Sequence, residues 1–128
     1  MKTFARAAAL LGATFLATPI LAEAPIFVDD PAACDITGPT RDERVFNITD
    51  TGVMVLEEAG MYAIEYGCEF APAVPLDAPL GDVQTRVGYC SEPGFIDPGV
   101  FTFAAHEPGR ITVYSSLWDT PSTFAPCE

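Results

Sequence analysis

Beyond position 22 the chain has one histidine, His106, four basic residues, all arginine (Arg41, Arg44, Arg86, Arg110), and no lysine. Each shortage excludes a class of chemistry. A blue-copper centre needs two histidines and a cysteine. A Ser-His-Asp arrangement would have to recruit His106 with Ser91, Ser115, Ser116 or Ser122, and none of these lies in a nucleophile-elbow motif. No glycine-rich phosphate loop is present, no basic patch suits nucleic acid, and no C-x-x-C pair suits zinc or dithiol redox work.

The apolar run at the start, residues 7–22, follows Lys2 and Arg6 and is interrupted by Gly12, Thr14, Thr18 and Pro19. A basic start, a short apolar centre and small residues at its end read as a secretory signal peptide, with cleavage expected after Ala22. The run is short for a membrane span, which needs roughly 20 residues. No cysteine follows closely enough for lipid attachment. The expectation is a soluble protein of the periplasm or extracellular space, with no membrane insertion after cleavage and residues 23–128 forming one domain.

What that domain has in quantity is acid. All 18 acidic residues fall after position 22 against four arginines, a balance of −14. Such a surface repels nucleic acid and anionic lipid, favours a soluble monomer, and suits a basic partner or cations.

The four cysteines, Cys34, Cys68, Cys90 and Cys127, point in an exported chain to two disulfides. Of three pairings, the nested one (Cys68–Cys90 joining neighbouring strands, Cys34–Cys127 tying the termini) is preferred. The sequential pairing Cys34–Cys68 with Cys90–Cys127 is its rival.

The chain is organised for strands around residues 53–68. There Met54 and Leu56 share one side of an arm, Glu57-Glu58-Ala59-Gly60 makes a corner, and Tyr62, Ile64, Tyr66 and Cys68 share one side of the return. Before it, residues 23–43 carry Pro25, Pro31, Pro39 and Gly38 and read as an extended lead-in without a helix, with a short edge strand at Ile26–Val28. Arg44–Thr49 reads as a strand with Phe46 and Ile48 inward. Asn47-Ile48-Thr49 inside it matches the glycosylation sequon by chance.

After the hairpin, Val83–Cys90 reads as a strand with Val83, Thr85, Val87 and Tyr89 on one face. Cys90 falls on the other, which calls for a bulge near Gly88 or a disulfide on the outer face. Ser91–Gly94 and Ile96–Gly99 read as two turns. Gly99–Ala105 is a strand led by Phe101 and Phe103, Glu107-Pro108-Gly109 a turn, and Ile111–Ser115 a strand. The tail from Leu117 to Glu128 is expected along an edge.

Short strands with Pro/Gly turns and no amphipathic helix imply an all-β fold: a small antiparallel β-sandwich, or alternatively a small barrel, stapled by two disulfides. The F-x-I-T…L-x-x-x-G-x-Y-x-I rhythm of residues 46–64 is similar to that of secreted immunoglobulin-like and jelly-roll domains. Tyr89-Cys90-Ser91-Glu92-Pro93-Gly94-Phe95 resembles the copper loop of cupredoxins, where a cysteine ligand precedes Pro, Phe and a histidine. Here no histidine follows in the loop, so the copper that the resemblance implies cannot be assembled.

The segment 69–82 is the candidate binding loop, stiffened by Pro72, Pro75 and Pro79 and held at its base by Cys68 and Cys90. Phe70, Val74, Leu76 and Leu80 give it apolar content that would also suit a cover over an open end of the core. Glu69, Asp77 and Asp82 give it charge. Other candidates are weaker. Adjacent Glu57 and Glu58 point to opposite faces of an extended chain and make a poor glycosidase pair. Tyr62, Tyr66, Tyr89 and Trp118 could line a sugar-binding face, but fit core filling better. Asp29-Asp30 could contribute to calcium binding, although no D-x-D-x-D-G loop is present; otherwise no metal or cofactor is expected.

These observations favour a binding or structural module, not an enzyme, whose partner is another envelope or secreted protein. Its rivals are an inhibitor of a basic secreted enzyme of lysozyme or protease type, an enzyme working through His106, and a calcium-dependent module.

Overall fold

The structure, a computed structural model, describes residues 23–128; the signal peptide expected over residues 1–22 lies outside the described residues. Eight strands follow in order: β1 (Ile26–Val28), β2 (Val55–Glu57), β3 (Gly60–Ala63), β4 (Tyr66–Ala71), β5 (Val83–Glu92), β6 (Phe95–Glu107), β7 (Arg110–Ser115) and β8 (Ser122–Cys127). Each pairs antiparallel with its sequence neighbours, and β8 pairs back with β1, so the sheet closes into a barrel. Of the two architectures expected, the barrel is therefore found. The tail does not lie along an edge: Ser122–Cys127 is the closing strand, and Ile26–Val28 is flanked on both sides, by β2 and β8. Closure removes the open edges that a sandwich would leave.

Side chains fill the interior. Phe27, Leu56, Met61, Cys68, Phe70, Cys90, Phe101, Phe103, Ile111, Val113 and Phe124 form one buried cluster. Phe70 packs on Phe103 with ring centroids 4.7 Å apart. The faces of two strands differ from the expected ones. On β3 it is Met61, opposite Cys68, that is buried, while Tyr62 is half-buried and Ile64 is exposed. The expected second arm is in fact two strands, β3 and β4, separated by a tight turn at Ile64-Glu65, and a turn resets the alternation. On β5 the residues read as inward, Val83, Val87 and Tyr89, are exposed. Neither a bulge at Gly88 nor an outer disulfide is needed, because Cys90 simply faces the interior.

Both disulfides follow the nested pairing. Cys68 and Cys90 are register partners on β4 and β5, and Cys34 ties the β1–β2 connection to β8 through Cys127. Sequence separations of 22 and 93 residues correspond to about 3.4 and about 4.7 kcal/mol of loop-closure entropy removed from the unfolded chain.

The long β1–β2 connection corrects the reading of an extended, helix-free lead-in. A 3-10 turn, Pro31–Asp35, is followed by helix α1, Arg41–Thr49, where a strand was expected. Thr40 Oγ1 accepts from the Glu43 N–H at 3.2 Å and donates to Glu43 Oε2 at 2.9 Å, an N-cap that starts the helix. Phe46, expected inside, is 66% exposed, and Asn47 of the sequon lies on the helix. Ile48 is fully buried with Ile26, Val28, Ala33, Val55 and Cys127, forming a second small core on the outside of the barrel. This explains why all three residues of β1 are buried: Phe27 points into the barrel, and Ile26 and Val28 point under α1.

Candidate binding surfaces

The β5–β6 hairpin is the longest of the barrel, with ten register pairs from Val83↔Ala104 to Glu92↔Phe95. Only its first turn is as expected: Pro93-Gly94 joins the strands, with Gly94 at φ 84° as a tight turn requires. The second expected turn, Ile96–Gly99, is regular β6. Pro98 is tolerated there because pairing of β6 with β7 begins only near Phe101, so the flank of β6 at Pro98 needs no donor.

The outer face of this hairpin is apolar. Val87 pairs with Val100 and with Ala71 of β4, Tyr89 with Pro98 and Glu69, and Ser91 with Ile96. Val87 and Ile96 are 68% and 67% exposed, and Val100 and Tyr89 are also exposed; Phe95, the register partner of Glu92 on the other parity, is exposed at the barrel end. The Tyr89 hydroxyl donates to Glu69 Oε2 at 2.7 Å. That bond to a carboxylate, followed by burial and the Glu69 charge, raises the Tyr89 phenol above its usual 10.0. Tyr62 is also raised, first by burial and then by the charges of Glu57 and Glu69.

At the end of the barrel where β5 finishes, a mouth of about 380 Å³ is lined by Tyr66, Glu92, Phe95, Asp97, Leu117 and Trp118, together with Cys90 and Ser91. Trp118 Nε1 donates to the Tyr66 hydroxyl at 2.9 Å, and the indole packs edge-on against Phe101 at 6.2 Å. The segment carrying Trp118 is tied to β6 and β7. Ser116 N–H donates to the Val100 carbonyl, Ser116 Oγ accepts from Val100 N–H, and Ser115 Oγ accepts from Leu117 N–H. Gly99 leaves room for Leu117, whose side chain a Cβ there would meet at 2.9 Å.

The candidate loop 69–82 lies at the opposite end, and it is built into the fold. Glu69 and Phe70 belong to β4, with Phe70 in the core. Val74 is 2% exposed, its N–H donates to the Glu58 carbonyl, and Leu76 packs against the core. Arg86 holds the loop through the carbonyls of Pro72 and Ala73. Asp82 accepts from Gln84 Nε2, and its carbonyl accepts from Ala105 N–H. Pro75, Asp77, Pro79 and Leu80 are left facing solvent. Asp77 also borders a cleft of about 630 Å³, with Phe27, Arg41, Glu57, Glu58 and Leu76. Within it Arg41 Nη1 pairs with Glu57 Oε1 at 3.0 Å.

The remaining sequence candidates fall elsewhere. His106 is exposed and meets the Tyr114 hydroxyl at 3.4 Å, not a serine or a carboxylate. Asp29 Oδ1 accepts from Met54 N–H, and Asp30 Oδ1 accepts from Ala32 N–H, so both carboxylates have backbone partners. No group of three or more His, Cys, Asp and Glu side chains converges among the described residues. Of the four aromatics considered for a sugar face, Tyr66 and Trp118 are hydrogen-bonded to each other, whereas Tyr62 and Tyr89 both lie near Glu69. No helix among the described residues is long and apolar enough to cross a membrane, and two formed disulfides fit an oxidising compartment outside the cytoplasm. Sequence reasoning missed the mouth and the exposed hairpin face; the odd-parity valines and Tyr89 were visible, but Cys90 on the opposite parity was the signal that they face outward.

No family model, no curated protein and no solved structure matches this chain.

Proposed function

We propose that this is an exported binding module that acts without catalysis, and that its partner is a protein of the cell envelope or extracellular space. One observation carries the reading: the outer face of β4–β6 presents Val87, Tyr89, Ile96 and Val100 to solvent although the barrel has no structural need of them. Contiguous exposed apolar surface on a soluble domain marks interaction sites, and tyrosine is enriched at their energetic centres. The interior is occupied by side chains, which argues against a carrier of the kind that holds a small molecule inside its barrel.

A second reading, an inhibitor of a basic secreted enzyme, is favoured by the hairpin tip. Glu92, Phe95 and Ile96 stand exposed at the end of a rigid ladder, a shape suited to a cleft, on a chain whose charge would steer a basic enzyme towards it.

The test compares the oxidised mature domain with Val87→Asp/Val100→Asp as baits for envelope and secreted proteins, followed by titration of the purified partner. Both valines are exposed, so the variant is expected to stay folded despite repulsion between the two paired aspartates, checked by its melting temperature, and to lose the partner by at least tenfold in Kd. Equal affinity for both forms would refute this surface.

A further inference from the structure

The barrel mouth combines features that the apolar hairpin face lacks. Two rings, Tyr66 and Trp118, are locked to each other by the Trp118 Nε1–Tyr66 hydroxyl bond, and Phe95 stands at the rim. Two carboxylates, Glu92 and Asp97, line the same opening. Neither has a cationic partner: the ion pairs among the described residues are Arg41–Glu57 and Arg110–Glu107. Arg86 is committed to the loop at the other end of the barrel, and Arg44 to the carbonyls of Ile36 and Cys34. Fixed aromatic faces with carboxylates beside them attract a cation that is only partly hydrated, because the ring quadrupoles and the formal charges act together. A metal ion is a poorer match, since hard cations need several converging oxygens and no third carboxylate joins Glu92 and Asp97 among the described residues.

We propose that this mouth is a recognition site for one organic cation, the side chain of a lysine or arginine on the partner. The assignment rests on the binding-module reading and supplies its chemistry. The hairpin face takes the apolar part of the partner, and the adjoining mouth takes a basic side chain whose aliphatic stem lies on Leu117 and Phe95. Arginine is the better fit, because its flat guanidinium stacks on aromatic faces and bonds a carboxylate in the same pose.

Trp118 is the only tryptophan in the chain, so its emission reports this site directly. The mature oxidised domain is titrated with N-acetyl-arginine amide, N-acetyl-lysine amide and tetramethylammonium, against N-acetyl-alanine amide with sodium chloride at matched ionic strength. The expected result is a saturable change with the arginine and lysine amides, absent with the alanine control and at least tenfold weaker in Glu92→Gln/Asp97→Asn. Glu92 is exposed and Asp97 half-exposed, so the double variant keeps its fold, checked by an unchanged melting temperature. No saturable change, equal binding by the double variant, or tighter binding of tetramethylammonium than of either amide would overturn the assignment. The titration contains no partner, so its failure leaves the hairpin-face reading standing if Val87→Asp/Val100→Asp still loses the captured protein.

Discussion

Cys68 and Cys90 face each other as register partners across β4 and β5, and their disulfide lies inside the barrel among Phe70, Phe101 and Met61. This bridge is therefore part of the core as well as a chain constraint. The double variant Cys68→Ala/Cys90→Ala is expected to lose the loop-entropy contribution, about 3 kcal/mol, together with packing of both sulfurs. The Cys34–Cys127 bridge instead pins the α1 connection against β8. Its removal should loosen the small outer core around Ile48 first. Urea unfolding gives the totals, and amide exchange separates the two: in Cys34→Ala/Cys127→Ala, α1 should lose protection at a denaturant concentration where β5 and β6 keep theirs. Uniform loss across the barrel would contradict this division.

The helix makes a prediction that a strand at the same place would not. Thr40→Ala removes the cap of α1 and should cost about 1 kcal/mol. Ile48→Ala, at a fully buried site, should cost about 2–4 kcal/mol, and Phe46→Ser, at an exposed one, within about 0.5 kcal/mol. If Phe46 and Ile48 proved equally sensitive, alternate burial as in a strand would be the better description.

The same segment shows what the sequence made legible. Phe46 and Ile48 alternate as strand residues do, and over six residues this pattern cannot be told from the i, i+3 pair Val45 and Ile48 that in fact packs inward. The deciding signal was local: Thr-x-x-Glu at 40–43 carries the sequence signature of a helix start, with Thr40 as N-cap, and it outweighs a two-residue alternation. On β5, valine content suggested the wrong inward face. The cysteine was the better guide, because the disulfide and the small Gly88 against Phe70 fix which side faces the crowded interior. The strands from residue 55 onward, the Cys68–Cys90 pair and the inward role of Phe101 and Phe103 were readable because each rests on near-neighbour pattern, whereas Cys34–Cys127, 93 residues apart, was preferred over its rival only as the complement of that pair. The mouth was not, since Tyr66, Glu92, Asp97 and Trp118 meet only through barrel closure.

Loop 72–82 tests how far a segment can be both cover and surface. Val74 seals the end of the core, so Val74→Ala is expected to cost about 2 kcal/mol. Leu80, 64% exposed, should tolerate serine within about 0.5 kcal/mol. Equilibrium urea unfolding of the two single variants checks both values. A costly Leu80→Ser would place that side chain in the core.

Tyr62 and Tyr89 should make stability fall at alkaline pH. Tyr62 and Tyr89 both ionise above their usual 10.0 in the folded protein, Tyr62 chiefly through burial and Tyr89 chiefly through its bond to Glu69. Below pH 10 folded and unfolded chains both keep the phenolic protons, so this contribution is fully present and constant. As pH rises past 10 the unfolded chain loses its protons first. The native state then binds more protons than the unfolded one, and stability must fall until the folded-state phenols ionise as well. Urea midpoints should be level between pH 8 and 9.5 and decline above 10. Tyr62→Phe should flatten the decline most, because Tyr89 sits at the surface, where solvent screens its interaction with Glu69. A decline equally steep in wild type, Tyr62→Phe and Tyr89→Phe would show that neither phenol is the cause.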